Sequence, residues 1–431
     1  MRAMKDSGIE WIGQIPKEWH VDRLKYCANL DREKLSEKTD PEYAFNYIDI
    51  SSVTEYGGIG STQEMTFEKS PSRARMVVHD GDTIISTVRT YLKAIAYIDG
   101  LKDHIYSTGF CVVTPNDKLQ PKFGYYLLQS DYFVQKIVSE SVGVSYPAIS
   151  STEIGNMAIA IPNPEEQARI AHYLDGKCAE IDALIAAKEK TNALLKERRQ
   201  SIIYEAVTKG LNPDAPTKDS GIEWIGQIPE KWTTWRMKHL ASEPLQYGAN
   251  ATGIEFREDL PRYVRITDIT ADRKLSNDGK QSLDTDIAQE YMLEDGDILF
   301  ARSGATSGKS FYYEDKYGHC CFAGYLIRMR TDRRKALSKF LYYYTLTQAY
   351  ESWTQQIFIQ ATIQNISADK YNNLWFAIPG SLEEQKEIVE YLDKRCSEMD
   401  ELISANEATI QKLKEYRQSI IYEAVTGKIE I

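Results

Sequence analysis

The sequence predicts a mixed α+β protein made of two duplicated halves, each with an α+β domain followed by a long helix that pairs with its counterpart in a coiled coil. Three observations predict this fold class. Two blocks of sequence occur twice, a heptad spacing of apolar residues runs through the second block, and short β-branched and aromatic runs fill the segments between the blocks.

The duplication is visible in a short lead-in and in a long block. DSGIEWIGQIPKEW at 6–19 returns as DSGIEWIGQIPEKW at 219–232 and matches at 12 of 14 positions. The block at 165–208 returns at 383–426 with identity at 28 of 44 positions. The chain therefore divides into a lead-in with a first variable domain at 1–162, a first long helix at 163–209, a linker with Gly and Pro at 210–218, a second lead-in with a second variable domain at 219–380, and a second long helix at 381–431.

Both variable domains are predicted to be α+β. Runs such as DTIISTV and DILFAR alternate with turn signals, and one helical stretch is expected in each domain, near 121–138 and 336–354. Short echoes relate the domains: Asp80-Gly81-Asp82 with Asp295-Gly296-Asp297, Ile48-Asp49-Ile50 with Thr267-Asp268-Ile269, and Ala160-Ile161-Pro162 with Ala377-Ile378-Pro379. The domains are expected to share a skeleton while their loops differ.

The long repeated block is typical of a coiled-coil helix. Neither copy contains Pro, and each begins with acidic residues, which favour the positive end of a helix dipole. A core helix of a globular domain is the alternative, but 44 residues at about 1.5 Å each exceed the width of a small domain. Asn192 and Asn406 either fix the register of the seam or lie at its solvated end. The seam positions are Leu174, Cys178, Ile181, Ile185, Lys188, Asn192, Leu195, Arg199, Ile202 and Ala206, and Leu392, Cys396, Met399, Ile403, Asn406, Ile410, Leu413, Arg417, Ile420 and Ala424.

Composition limits the function classes. Lys and Arg number 52 against 63 Asp and Glu, a net charge of −11, which argues against nucleic-acid binding through bulk positive charge alone. The variable segments are closer to neutrality, with 14 positive and 18 negative residues at 20–164 and 18 of each sign at 233–382. Six cysteines without a CxxC pair and six scattered histidines indicate reduced structural thiols rather than a disulfide framework or zinc site. Because no apolar run approaches a membrane span or a signal core, a cytoplasmic protein is expected.

Catalytic motifs are not evident in the sequence. Ser303–Ser310 resembles a phosphate loop, but it has Ser where GxxxxGK[ST] requires its first Gly. The NPPY-type tetrapeptide with which adenine methyltransferases hold a flipped base is absent. Asp80/Asp82 and Asp295/Asp297 could serve a metal-dependent nuclease, but Asp-Gly-Asp before an apolar strand is more typical of a tight turn. No catalytic residue and no metal site are therefore expected.

Polar and basic residues gather in loop-like places of the variable domains. Such side chains address base edges and phosphates in complexes with DNA. A solvated surface is the alternative for any one of them, and the 28 tyrosines suit stacking on bases and packing in sheets equally. The candidate DNA-contacting residues are Arg73, Arg75, Arg89, Thr90, Tyr91, Lys93, Ser145, Tyr146, Arg265, Arg302, Ser303, Thr306, Ser307, Lys309, Gln360, Gln364 and Asn365.

The order of these features resembles the specificity (S) subunit of type I restriction-modification systems, the HsdS family. The resemblance rests on DSGIEWIGQIPxxW at the start of each half, an AIP strand followed by an EEQ helix, and RQSIIYEAVT near the end of each long helix. It covers essentially the whole chain. It implies two target-recognition domains, each reading one half of a bipartite DNA site, in halves related by a pseudo-twofold axis and joined by an antiparallel helix pair that sets the spacer.

The resemblance also implies the partners. A specificity subunit carries no catalysis and docks two methyltransferase (modification) subunits, which bind S-adenosylmethionine and methylate adenine. Restriction subunits, which translocate DNA, use ATP and Mg²⁺ and cut, join through the complex. The chain itself is therefore expected to bind double-stranded DNA without a cofactor and without a membrane, in a bacterial or archaeal cytoplasm. A coiled-coil scaffold whose globular domains bind protein rather than DNA is the alternative.

Overall fold

A computed structural model describes residues 2–54, 57–60, 62–100, 103–143, 145–304, 306–359 and 365–431. The chain forms two compact units. The first unit comprises the chain up to Glu189 together with Glu407–Ile431, and the second comprises Lys190–Asn406. Because these boundaries fall inside both long helices, each unit contains part of each helix.

The first unit, as far as it is described, contains two four-stranded sheets, which have the orders β6-β5-β10-β7 and β4-β11-β8-β9 and whose strands β5 and β10 are parallel. Its strands are β1 (Met4–Asp6), β2 (Gln14–Pro16), β3 (His20–Arg23), β4 (Ala28–Leu30), β5 (Ala44–Ile48), β6 (Gln63–Thr66), β7 (Ala74–Val77), β8 (Thr83–Ser86), β9 (Ile95–Tyr97), β10 (His104–Ser107), β11 (Phe110–Pro115) and β12 (Ala158–Ile161). Its helices are α1 (Pro121–Gln129), α2 (Asp131–Glu140), α3 (Ser151–Asn156) and the first part of α4 (Pro164–Lys209).

The second unit repeats this plan with changes, and its described part contains four-stranded sheets of the orders β17-β19-β18-β22 and β16-β23-β20-β21, with β18 and β22 parallel. Its strands are β13 (Thr217–Asp219), β14 (Gln227–Pro229), β15 (Thr233–Arg236), β16 (Gln246–Tyr247), β17 (Ile254–Glu255), β18 (Arg262–Val264), β19 (Gln281–Ser282), β20 (Ile298–Ala301), β21 (Ser310–Tyr312), β22 (Cys320–Phe322), β23 (Leu326–Met329) and β24 (Trp375–Ile378). Its helices are α5 (Met237–Leu240), α6 (Thr285–Ala288), α7 (Ser338–Tyr344), α8 (Gln348–Ile359), α9 (Ala368–Asn372) and the first part of α10 (Leu382–Val425). The predicted α+β class with two long helices is confirmed.

Each lead-in is anchored by its second tryptophan. Trp19 is buried and meets Phe123 of α1 edge to face, with ring centroids 6.4 Å apart. Trp232 makes the corresponding contact with Phe340 of α7 at 6.0 Å. Burial of aromatic rings of this size dominates the energetics of a small core. Each lead-in therefore packs onto its own domain through this tryptophan, whereas Trp11 stays 44% exposed.

In the second unit, polar pairs mark the seam between α4 and α10. Asn406 Nδ2 donates to Asn192 Oδ1 at 2.8 Å, and Asn192 is buried. Arg199 forms an ion pair with Asp400 at 3.5 Å. Asn192 meets Asn406, whereas Arg199, which comes later in α4, meets Asp400, which comes earlier in α10. The two helices therefore run antiparallel. A buried amide pair favours one register, so the alternative of a solvated end is wrong for Asn192.

In the first unit, an ion pair links the other parts of the two helices. Arg417 Nε donates to Asp182 Oδ1 at 2.9 Å, and Arg417 also donates to Gln129 Oε1 of α1 at 3.1 Å. The Arg417 side chain is only 3% exposed. The helix pair is thereby tied to α1, which packs against strands β8, β9 and β11.

The helical stretch of each variable domain is interrupted, whereas one uninterrupted stretch was predicted. Extended Ser130 separates α1 from α2, and its hydroxyl donates to the Leu127 carbonyl. Between α7 and α8, Thr345 Oγ1 donates to Tyr342 O at 2.6 Å and Thr347 Oγ1 donates to Tyr344 O at 2.7 Å. These hydroxyls satisfy carbonyl groups that a continuing helix would have bonded, so the helix can end there.

The turns partly agree with the sequence echoes. Asp82 accepts from the His79 N–H at 2.8 Å, and Asp297 accepts from the Glu294 N–H at 2.9 Å, which confirms the two tight turns. The segment Ile48-Asp49-Ile50 does not correspond to Thr267-Asp268-Ile269, although the sequence predicted that it would. It corresponds to a segment that lies three residues earlier in the chain. In the fold Asp49 and Arg265 correspond, because each precedes the 3-10 turn after the parallel strand, Ile50–Ser52 in one unit and Ile266–Asp268 in the other.

Candidate nucleic-acid interface

A cleft of about 680 Å³ opens on the first unit where five loops meet. It lies beside the end of β5, the residue before β7, the loop after β8, the turn between β10 and β11, and the segment that contains Tyr146. Predicted residues Arg73, Arg89 and Tyr146 lie together in this cleft. The lining residues are Tyr47, Asp49, Ile50, Ser51, Arg73, Val88, Arg89, Leu92, Ser107, Thr108, Gly109 and Tyr146.

Arg89 is held in an unusual backbone conformation within this cleft. Its φ of 53° lies in the left-handed region, which costs an L-residue about 1 to 2 kcal/mol. The Arg89 N–H donates to the Pro147 carbonyl at 2.8 Å. The Arg89 guanidinium carbon lies 4.6 Å from the centroid of the Tyr146 ring, and that tyrosine is 62% exposed. The loop thus holds a cation over an accessible aromatic face.

Sequence reasoning missed Asp49, a carboxylate in the same cleft. Asp49 accepts hydrogen bonds from the Ser51 N–H at 2.9 Å and the Ser51 hydroxyl at 2.6 Å. Both bonds are local, so the carboxylate is fixed at the cleft wall by its own turn. The Asp-x-Ser spacing is a turn signal in the sequence, but it does not reveal that two arginines lie in the same cleft.

Other predicted residues of the first unit have structural roles or stand alone on the surface. Arg75 packs over the Phe67 ring at 4.5 Å and donates to its neighbour's carbonyl, that of Ala74, at 2.9 Å. Lys93 pairs with Asp131 at 3.4 Å. The remaining three are buried Thr90, whose hydroxyl meets that of Ser141, and exposed Tyr91 and Ser145.

In the second unit, Arg302 and Asn365 lie side by side. The Ser303 and Asn365 backbones form a bridge, and the Ile366 N–H donates to the Arg302 carbonyl at 2.9 Å. The Arg302 guanidinium carbon lies 4.8 Å from the centroid of the Tyr247 ring. Among the described residues, neither Arg302 Nε nor Asn365 Oδ1 has a hydrogen-bond partner, although both atoms are buried.

Arg265 does not belong to this group. Its guanidinium forms an ion pair with Asp268 at 2.6 Å and donates to the Gly279 carbonyl at 2.8 Å. The hydrogen bond to the Asp268 carboxylate raises the pKa of Arg265. Arg265 is therefore already neutralised within its own unit.

The remaining predicted residues of the second unit flank Arg302 in the loop before β21. Ser307 Oγ donates to the Arg302 carbonyl at 3.0 Å, so it shapes the loop. Thr306 and Lys309 are half-buried beside it. Gln360 and Gln364 lie outside the described residues.

In the part of the chain that the structure describes, no three or more His, Cys, Asp or Glu side chains are grouped so that they could hold a metal ion. Asp82 and Asp297 are buried turn caps, and Asp297 is also paired with Arg330 at 2.9 Å. All six cysteines are free and buried, and burial raises the pKa of Cys111 to about 12. Over the described ranges, none of the helices is long and apolar enough to cross a membrane.

Comparison with known proteins identifies the family of this chain. The family model described as the type I restriction modification DNA specificity domain matches residues 16–196 of the sequence and again residues 263–414. The chain belongs to this family. Its two matches fall on the two halves of the sequence repeat, in agreement with the resemblance noted from the sequence.

Two relatives and one solved structure place the chain within the specificity family. The chain is 26% identical over 326 residues to the type I restriction enzyme StySPI specificity subunit of Salmonella potsdam, which covers 74% of this chain and 68% of that protein. It is 22% identical to the putative type I restriction enzyme MjaX specificity subunit of Methanocaldococcus jannaschii, over 97% of this chain and 96% of that protein. A chain solved in a study of complex assembly and conformational transition of the type I restriction-modification system superposes with a TM-score of 0.72 at 25% identity, covering 96% of this chain and 99% of that one.

Proposed function

We propose that this specificity-family chain is the non-catalytic DNA-recognition subunit of a type I restriction-modification complex, in which each unit reads one half of a bipartite site in double-stranded DNA. The observation that supports this most strongly is that the two units repeat one frame of strands and helices but carry different loops on it. Asp49 and Arg265 occupy corresponding turns, and the first presents a carboxylate whereas the second is paired with Asp268. Two similar frames that present different polar groups suit two different half-sites, because base edges are distinguished by their donors and acceptors.

The proposal extends to two methyltransferase subunits docked on the long helices. Leu184 of α4 and Leu402 of α10 occupy the same position of the repeat and are 54% and 55% exposed. An apolar side chain exposed in both copies of a duplicated surface suits two copies of one partner. In the same proposal the helices set the spacer between the half-sites, and restriction subunits join through the methyltransferase subunits.

Cofactors belong to the partners in this proposal. S-adenosylmethionine would be held by the methyltransferase subunits, and ATP with Mg²⁺ by the restriction subunits, in a bacterial or archaeal cytoplasm. The net charge of −11 supports a division of labour in which this chain reads sequence through a few loops. The nonspecific attraction to phosphates, which depends on released counterions, would come mainly from the partner subunits.

Methylation mapping of host DNA tests the proposal. The gene is deleted, then restored in the presence of its genomic neighbours, and modified adenines are mapped in each strain. A split motif with a modified adenine in each half is expected to disappear on deletion and to return on restoration. Persistence of the motif in the deletion strain would overturn the proposal and favour the protein-binding scaffold.

A further inference from the structure

We infer that one arginine in each unit reads a guanine in its half-site, Arg89 in the first unit and Arg302 in the second. The inference rests on the proposed function and names the side chains that carry sequence information within it. It separates these two arginines from the other basic residues of the same loops by the contacts of each guanidinium group.

The Arg302 guanidinium lies over an aromatic ring and, among the described residues, makes no hydrogen bond. Its guanidinium carbon lies 4.8 Å from the centroid of the Tyr247 ring. No hydrogen bond or ion pair of the described residues engages its guanidinium nitrogens, and its Nε is buried. A guanidinium that stacks on an aromatic face keeps its planar set of donors in one orientation. Guanine presents two acceptors, O6 and N7, that such a fork can engage together.

In the first unit, the Arg89 guanidinium also lies over a tyrosine ring, but here the arginine has a left-handed backbone conformation. Its guanidinium carbon lies 4.6 Å from the centroid of the Tyr146 ring, and Arg89 itself is exposed. Within the described residues its side chain makes no hydrogen bond and no ion pair, while its N–H is fixed by Pro147. A non-glycine residue with a positive φ is uncommon and often marks a functional position. Here that conformation directs the side chain to the cleft that also contains Asp49.

Two further arginines show that stacking alone is not the criterion. Arg75 lies 4.5 Å from the Phe67 ring centroid, but it also donates to the Ala74 carbonyl. Arg236 lies 4.8 Å from the Trp375 ring centroid, but it donates to Asn373 Oδ1 at 3.2 Å. Because these guanidinium groups are already hydrogen-bonded inside the protein, Arg75 and Arg236 are matched controls for Arg89 and Arg302.

The competing role for a cationic loop residue is a phosphate contact. Arg73 lies in the cleft of the first unit, and Lys309 lies in the Arg302 loop. Neither is stacked on an aromatic ring in the described residues, so neither has a fixed donor plane. A phosphate contact weakens binding to all sequences about equally when it is removed, whereas a base contact changes the preferred sequence.

Four arginine-to-lysine variants test the inference in the complete complex. The variants R89K, R302K, R75K and R236K are each assembled with the methyltransferase subunits, and methylated motifs are mapped together with binding to the cognate site and to sites with one altered base. Lysine keeps the positive charge but lacks the planar fork. R302K is expected to lower discrimination at one guanine of one half-site by at least about tenfold, and R89K to do so in the other half-site.

The outcomes are distinct. R75K and R236K are expected to leave the motif unchanged. An unchanged motif for R89K and R302K would overturn the inference. A uniform loss of binding at all sequences would also overturn it and would make these residues phosphate contacts. A single variant that changes the base preference in both half-sites would also overturn the inference. If the wild-type complex methylates no split motif, it is the proposed function that fails.

Discussion

In the first unit the turn after the parallel strand β5 begins with Asp49, and in the second unit the corresponding turn after β18 begins with Arg265. Among the described residues, Asp49 is hydrogen-bonded only within its own turn, and it lines an open cleft. Arg265 is paired with Asp268, which is buried. The same backbone frame therefore presents an acceptor at this place in one unit and a neutralised ion pair in the other.

Away from the loops, the two units share a hydrogen bond between the variable domain and the long helix. The Tyr126 hydroxyl donates to Asp175 at 2.7 Å, and the Tyr343 hydroxyl donates to Asp393 at 2.6 Å. In each case burial and then the carboxylate raise the pKa of the tyrosine. Where the frame joins the long helix, the two units have kept both partners of an interaction. At the turns after β5 and β18, by contrast, the units present different residues, Asp49 and Arg265.

The largest effect is expected when the variable domain of the second unit is exchanged, which tests whether the two units read DNA separately. When residues 233–378 are replaced by the matching segment of another specificity subunit, the complex should methylate a motif with one new half-site and one unchanged half-site. The reason is that the exchanged segment belongs to the second unit, whereas the sequence of the first unit is unchanged. Methylation mapping of the chimera checks this. A change in both half-sites would mean that the units do not read DNA separately.

A smaller effect is expected on stability, and it distinguishes the two helix ion pairs. Asp182→Ala leaves the buried Arg417 charge with fewer partners, so it should lower the free energy of unfolding by about 3 kcal/mol. Asp400→Ala affects Arg199, whose side chain is 30% exposed, so about 0 to 1 kcal/mol is expected. Denaturant unfolding of the purified variants measures both. Equal losses would show that the two pairs have the same surroundings.

The smallest effect is expected at the exposed leucine that occupies the same repeat position in both long helices, Leu184 and Leu402. The double variant L184K/L402K should weaken binding of the methyltransferase subunits by about tenfold, since each substitution places a charge where an apolar contact is proposed. The matched control is Leu194→Lys. Leu194 is 56% exposed on the same helix, but the second copy has Lys412 at this position. Calorimetry or a sedimentation assay of assembly provides the measurement, and a weaker complex with the control variant alone would place the docking surface elsewhere.

Most of the frame was predictable from the sequence. The lead-ins, the seam positions and the tight turns are local or periodic patterns, so the residues that carry them are close together in the chain. The helix breaks at Ser130 and Thr345 were not foreseen, because apolar periodicity continues across them while side-chain hydroxyls end the hydrogen-bond ladder. The correspondence of Asp49 with Arg265 was also missed, since diverged loops retain too few identical residues to align.

The sequence alone determined that this protein is a duplicated α+β chain of the type I specificity family, because repeats and heptads are properties of residue order. Only the tertiary structure decided which basic side chains remain available. Arg302 meets Tyr247, and Lys93 meets Asp131, across long stretches of chain. A guanidinium group is free or occupied according to neighbours that folding brings from distant parts of the sequence, and residue type in a loop carries no record of those neighbours.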